Sequence, residues 1–223
     1  MEDQRPVAEV PIGFFEYHAI FEEPIFAAWF GKDAARGTLT TGMYKILTPW
    51  GIDLSKITVN LNPKNMQEIQ TSFTTSNPPA LINLGMGGVA FIVQNAEWSK
   101  APMLVSMFQT VLNHLKTTVP TELGSQQTIL GFHVKPGPKP WREVMQRFVN
   151  AKALGVEEDA STYGVGAYGV KFSVLLDNSL ALPGGLFVKI TRVFPAETHF
   201  EEMSSILWKD EEGMLGRLGF RTQ

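Results

Sequence analysis

The clearest hydrophobic pattern in the chain runs from residue 85 to residue 120. Gly85-Met86-Gly87-Gly88 leads into an unbroken apolar run over residues 89–93, which predicts a buried strand. Beyond Ser99 and Pro102, apolar residues fall at Leu104, Met107, Phe108, Val111, Leu112 and Leu115. That is the spacing of one face of a 3.6-residue helix, which Pro120 closes. A second apolar run at residues 80–84 makes the glycine turn the tip of a hairpin. Later, Pro183-Gly184-Gly185 precedes an apolar run at residues 186–190, and a helix follows from Thr198. The chain thus writes glycine turn, strand and helix twice.

Elsewhere the pattern alternates. Residues 8–21 read as a strand, with Val10, Ile12, Phe14, Glu16, His18 and Ile20 on one face and Phe15, Tyr17, Ala19 and Phe21 on the other. Pro24 predicts a short helix with the stripe Ile25, Phe26, Trp29 and Phe30, ended by Gly31 or Gly37. Residues 43–47 and 57–61 read as short strands about a Pro49-Trp50-Gly51 turn, and residues 66–75 fit strand or helix. Residues 128–135 alternate as a strand, after which Pro140 starts a helix with Trp141, Val144, Met145 and Phe148. Residues 163–176 read as one long strand bent at Gly164, Gly166 and Gly169. In the last helix Thr198 and Glu201 form a Thr-x-x-Glu capping box, Phe200, Met203, Ile206 and Leu207 line the inner face, and Gly213 interrupts.

These elements predict an α+β fold: antiparallel sheets with helices on one face. The repeated order fits two tandem ferredoxin-like (βαββα) halves, residues 1–121 with an irregular insertion at about 38–79 and residues 122–223, packed as one globular unit. Proline-started helices (Pro24, Pro140) and an Ala-Glu pair before each last helix (Ala96-Glu97, Ala196-Glu197) support the duplication.

Composition narrows the function classes. With 44% hydrophobic and 18% charged residues over 223 positions, the chain has ample material for a core. A net charge of −3 provides no basic field for a phosphate backbone, so nucleic acid is not an expected partner. No apolar run is long enough for a membrane-spanning helix, so no membrane partner is expected. The start of the chain is acidic and lacks signal-peptide form, and a cytoplasmic location is expected. The absence of cysteine removes disulfides, thiolate catalysis and thiolate metal sites.

Catalytic motifs are absent. No Gly-x-Ser-x-Gly occurs, and neither glycine-rich segment carries a Lys-Ser/Thr phosphate-loop ending or opens directly into a helix. Two histidines draw attention. His18 and His133 each lie on a strand leading to a proline-started helix, six residues before Pro24 and seven before Pro140. In a duplicated fold they would line a shared ligand cleft with Glu16 or Tyr17. A second cluster, Glu197, His199, Glu201 and Glu202, has one i, i+3 His–Glu pair but too few ligands for a carboxylate metal site, so no metal is expected. No cofactor is indicated.

The expectation is therefore a non-catalytic binding or assembly protein. It would engage a protein partner or a small apolar ligand between two α+β halves and form a homodimer through surplus aromatic surface. The alternative is a small-molecule enzyme with His18 or His133 as general base.

Overall fold

A computed structural model describes residues 5–25, 33–61, 69–119, 121–135, 144–145, 147–148 and 164–221. The chain is mixed α+β. Its strands are β1 (Glu9–Phe21), β2 (Ile57–Asn60), β3 (Gln70–Ser76), β4 (Pro79–Gly85), β5 (Gly88–Gln94), β6 (Leu123–Lys135), β7 (Val165–Tyr168), β8 (Phe172–Asn178) and β9 (Leu186–Pro195). The α-helices among the described residues are α1 (Asp33–Leu47), α2 (Ala101–Thr118) and α3 (Phe200–Leu218). The pairings β2–β3, β3–β4, β4–β5, β7–β8 and β8–β9 are antiparallel. Two compact units are formed. The first takes Met1–Phe14, Ile129–Val193 and Thr198–Gln223; the second takes Phe15–Thr128 and Phe194–Glu197.

In the second unit the strand order is β2-β3-β4-β5-β1-β6. Strands β3, β4 and β5 alternate buried and more exposed positions, so each turns one row inward: Phe73 between Thr71 and Thr75 from β3, Ile82 and Leu84 from β4, Val89, Phe91 and Val93 from β5. Helix α2 contributes Leu104, Met107, Phe108, Val111 and Leu115 to the interior, as its periodicity predicts. Pro102 sits in its first turn, where a missing N–H costs nothing. Tyr17, Phe91 and Phe108 form an aromatic cluster with centroid separations of 4.3–5.8 Å. The β4–β5 hairpin forms where expected. One of its glycines has a steric reason: a Cβ on Gly88 would run into the Ala19 carbonyl of β1.

In the first unit the order is β1-β6-β9-β8-β7. Val188 and Ile190 of β9, Phe132 and Val134 of β6, Leu176 of β8 and Met214, Leu215 and Leu218 of α3 share one core. Each such side chain contributes about 1.5–3 kcal/mol of burial free energy. Gly219 ends α3 in the left-handed conformation, φ 91°, its N–H returning to the Leu215 and Gly216 carbonyls. On the opposite face of the sheet, Phe14 lies against Gly131, where a Cβ would collide with its ring, and stacks at 6.3 Å on Phe187.

Several expectations are corrected. Residues 43–47 are not a strand but the end of α1, which runs through Gly37, expected as a helix stop, and on through Gly42. The four-residue spacing of buried Leu39, Met43 and Leu47 decides the matter, because tertiary burial outweighs weak helix propensity. The expected single strand over residues 163–176 is two antiparallel strands, β7 and β8, joined by a short turn at Gly169 to Lys171; Tyr163 lies outside the described residues. Helix α3 starts at Phe200, with the extended His199 at its N-cap position, one residue beyond the Thr198 expected there. Gly213 does not interrupt it, since Met214, Leu215 and Leu218 beyond it are buried. Residues 70–76 of the ambiguous segment are strand. The helix expected through Phe26, Trp29 and Phe30, and Pro140 and Trp141 of the other, fall outside the described residues. Val144 and Met145 are helical and buried.

Candidate functional site

The first unit carries a groove of about 470 Å³ between α3 and the β7-β8-β9 edge of its sheet. Its floor is apolar: Val165 and Ala167 from β7, Val174 and Leu176 from β8, and Met214 from α3, with Phe148 and Phe172 alongside. The helix wall presents Asp210, Gly213, Met214 and Arg217, whose i, i+3, i+4, i+7 spacing puts them on one face, with Lys209 beside them.

One wall is held by a bidentate ion pair. Arg192 of β9 donates from Nε to Asp210 Oδ2 at 2.6 Å and from Nη2 to Oδ1 at 2.7 Å. Its guanidinium also lies 4.6 Å from the centroid of Phe172, its cross-strand partner in the β8–β9 register. The pair is only partly exposed, so the planar fork fixes both helix and strand. On the same helix wall Lys209 and Arg217 have no ion-pair partner among the described residues. Gly213 lines the groove from the helix side and is exposed. A Cβ on Gly213 would meet nothing within 4 Å, although glycine inside a helix costs about 1 kcal/mol relative to alanine.

The histidines lie elsewhere. His18 and Glu16 share a face of β1, as alternation requires, and His18 Nε2 is 2.9 Å from Glu16 Oε2. Tyr17 points to the opposite face. It is fully buried, its hydroxyl donates to Gln126 Oε1 at 2.6 Å, and burial pushes its phenol well above the ordinary value. His133 belongs to the first unit and His18 to the second. The partner of His133 is Ser179, with Nδ1 and Oγ 2.8 Å apart, and its ring lies 4.9 Å from that of Phe187. Ser179 is buried, and its Oγ also accepts the Leu182 N–H at 2.7 Å. Burial holds His133 below the usual imidazole range, so at neutral pH its free lone pair can accept the Ser179 proton.

The second cluster is solvent-facing: His199, Glu201 and Glu202 are exposed at the start of α3. Among the described residues no group of three or more His, Asp and Glu side chains is placed to hold a metal ion. No described helix is long and apolar enough to cross a membrane.

Sequence reasoning missed the groove. Its two sides, residues 165–176 and 209–217, are distant in the chain, and the Lys-Asp-Glu-Glu run after Trp208 reads as a solvated helix face. The available signal was Gly213 itself, a glycine within a helical pattern.

No protein-family model matches the chain, and no curated protein matches it. Among solved structures, it is similar to Methanococcus jannaschii TBP, at 11% identity and a TM-score of 0.34, over 96% of this chain and 98% of that one.

Proposed function

We propose that the protein is a non-catalytic binding protein whose ligand is a small, largely apolar molecule held in the groove between α3 and strands β7 to β9. The observation that carries this reading is the apolar floor of Val165, Val174, Leu176 and Met214. Its volume of about 470 Å³ lies within the range of small-molecule sites, roughly 300–1,000 Å³. Nile red, a neutral apolar dye, tests the site. Its fluorescence should rise on binding to the wild-type protein and rise less with Gly213→Leu, which puts a side chain at a lining position of the groove. Equal dye binding by the two proteins overturns the reading.

A second reading is supported by one contact. The His133–Ser179 pair is the geometry of a base and a hydroxyl nucleophile, which keeps the small-molecule enzyme in view. What weighs against it is that Ser179 is 5% exposed and its oxygen already holds the Leu182 N–H. A hydrolytic turnover of a p-nitrophenyl ester lost in Ser179→Ala would favour the enzyme. We also read the exposed Tyr168, Val170 and Leu180 as support for self-association of a cytoplasmic homodimer, which sedimentation equilibrium tests.

A further inference from the structure

Resting on the reading of the groove as a ligand site, we infer that its ligand is an amphipathic carboxylate, an apolar body carrying one anionic head. The charges lining the groove are three cations, Arg192, Lys209 and Arg217, against one carboxylate, Asp210. Arg192 and Asp210 cancel, because both oxygens of the carboxylate are engaged by the guanidinium. That leaves two positive charges over an apolar floor, each with no ion-pair partner among the described residues. An uncharged apolar ligand would gain nothing from these two exposed cations. A purely polar anion would leave Val165, Val174, Leu176 and Met214 uncovered. A carboxylate with an apolar tail matches both features.

The two cations flank Gly213. They are eight residues apart on α3, so they sit about 12 Å apart along its axis. One head group therefore meets one of them directly and feels the other as a field. Arg217 presents a fork that takes a carboxylate through two parallel hydrogen bonds, whereas Lys209 offers a point charge. The head belongs at Arg217.

The test is displacement of bound Nile red at pH 8 by decanoate and by decanol, in the wild-type protein and in Lys209→Gln, Arg217→Gln and the double variant. Decanoate should displace the dye at about tenfold lower concentration than decanol, since a charge-assisted hydrogen bond is worth that much or more. Arg217→Gln should remove most of this preference, the double variant should abolish it, and decanol should displace equally well throughout. Equal potency of decanoate and decanol in the wild type would overturn the carboxylate head while leaving the apolar groove standing. A preference that survives in the double variant would overturn the assignment to these two residues. If Gly213→Leu leaves dye binding intact, the groove reading fails and the carboxylate falls with it.

Discussion

Tyr17 and Gln126, 109 residues apart in sequence, meet through a 2.6 Å hydrogen bond in which the phenol donates to the amide oxygen. The amide nitrogen of Gln126 in turn donates to the carbonyls of Pro195 at 3.1 Å and Ala196 at 3.0 Å. A buried glutamine thus ties β1, β6 and the segment after β9 within the second unit. Tyr17→Phe removes one donor without opening a cavity, and unfolding free energy should fall by about 1–2 kcal/mol. Gln126→Leu should cost more, because it leaves the phenol and two carbonyls short of a partner. Urea unfolding with an unchanged denaturant slope measures both. A Tyr17→Phe protein as stable as wild type would show the bond to be without net value.

Acid should weaken the protein through His133. Burial lowers its folded-state pKa below the ordinary 6.5 of the unfolded chain. Between the two values the unfolded state binds the extra proton and the folded state does not. This contribution is therefore complete above pH 6.5 and is lost as pH falls toward the folded value. His114, also lowered by burial, acts with the same sign. The urea midpoint should fall between pH 7.5 and 5.5, and the fall should be smaller in His133→Gln, which keeps an acceptor for Ser179 but cannot charge. An identical pH profile for variant and wild type would remove His133 from this account.

Gly42 of α1 makes room for His114 of α2, whose imidazole occupies the place a Cβ would take. Gly42→Ala should push the ring toward solvent and return its titration toward 6.5, as followed by NMR of the imidazole protons. A ring that titrates as before would mean that the helices separate instead.

Gly213→Ala and Gly131→Ala should move stability in opposite directions. The first adds a methyl in open space on a helix and should raise stability by about 1 kcal/mol. The second drives a Cβ into the Phe14 ring and should lower it by about 1–3 kcal/mol. Thermal unfolding of the pair resolves the sign.

Thr128 offers a stabilising change. Its hydroxyl is buried with no hydrogen-bond partner among the described residues, so Thr128→Val exchanges an unsatisfied polar atom for a methyl of the same shape. A gain of about 1 kcal/mol is expected in urea unfolding. A loss would mean that the hydroxyl is hydrated.

The elements that the sequence announces are those whose local pattern and tertiary burial agree. Helix α2 and the β4–β5 hairpin are of this kind, with periodicity, proline and glycine all pointing the same way. Helix α1 was hidden because Thr38, Thr40, Thr41, Gly37 and Gly42 all disfavour helix, leaving Leu39, Met43 and Leu47 as its only signal. The end of α3 was hidden by Gly213 for the same reason. Strand alternation put Glu16 beside His18 and Tyr17 on the opposite face, as found. The partner of His133 was not legible, because Ser179 lies 46 residues away in a loop with no periodicity. The groove depends on bringing β7 to β9 against α3, a packing relation that no single window of sequence contains.

The terminal strands of the described order, β2 and β7, are four residues each, while β1 and β6 are thirteen. An open sheet edge is a template on which a stray strand can polymerise, and the hazard grows with the length of the exposed ladder. Here each outer rung pairs over only four residues. β1 lies between β5 and β6, and β6 between β1 and β9, so neither thirteen-residue strand stands at an end of the order as a long template for amyloid-like growth.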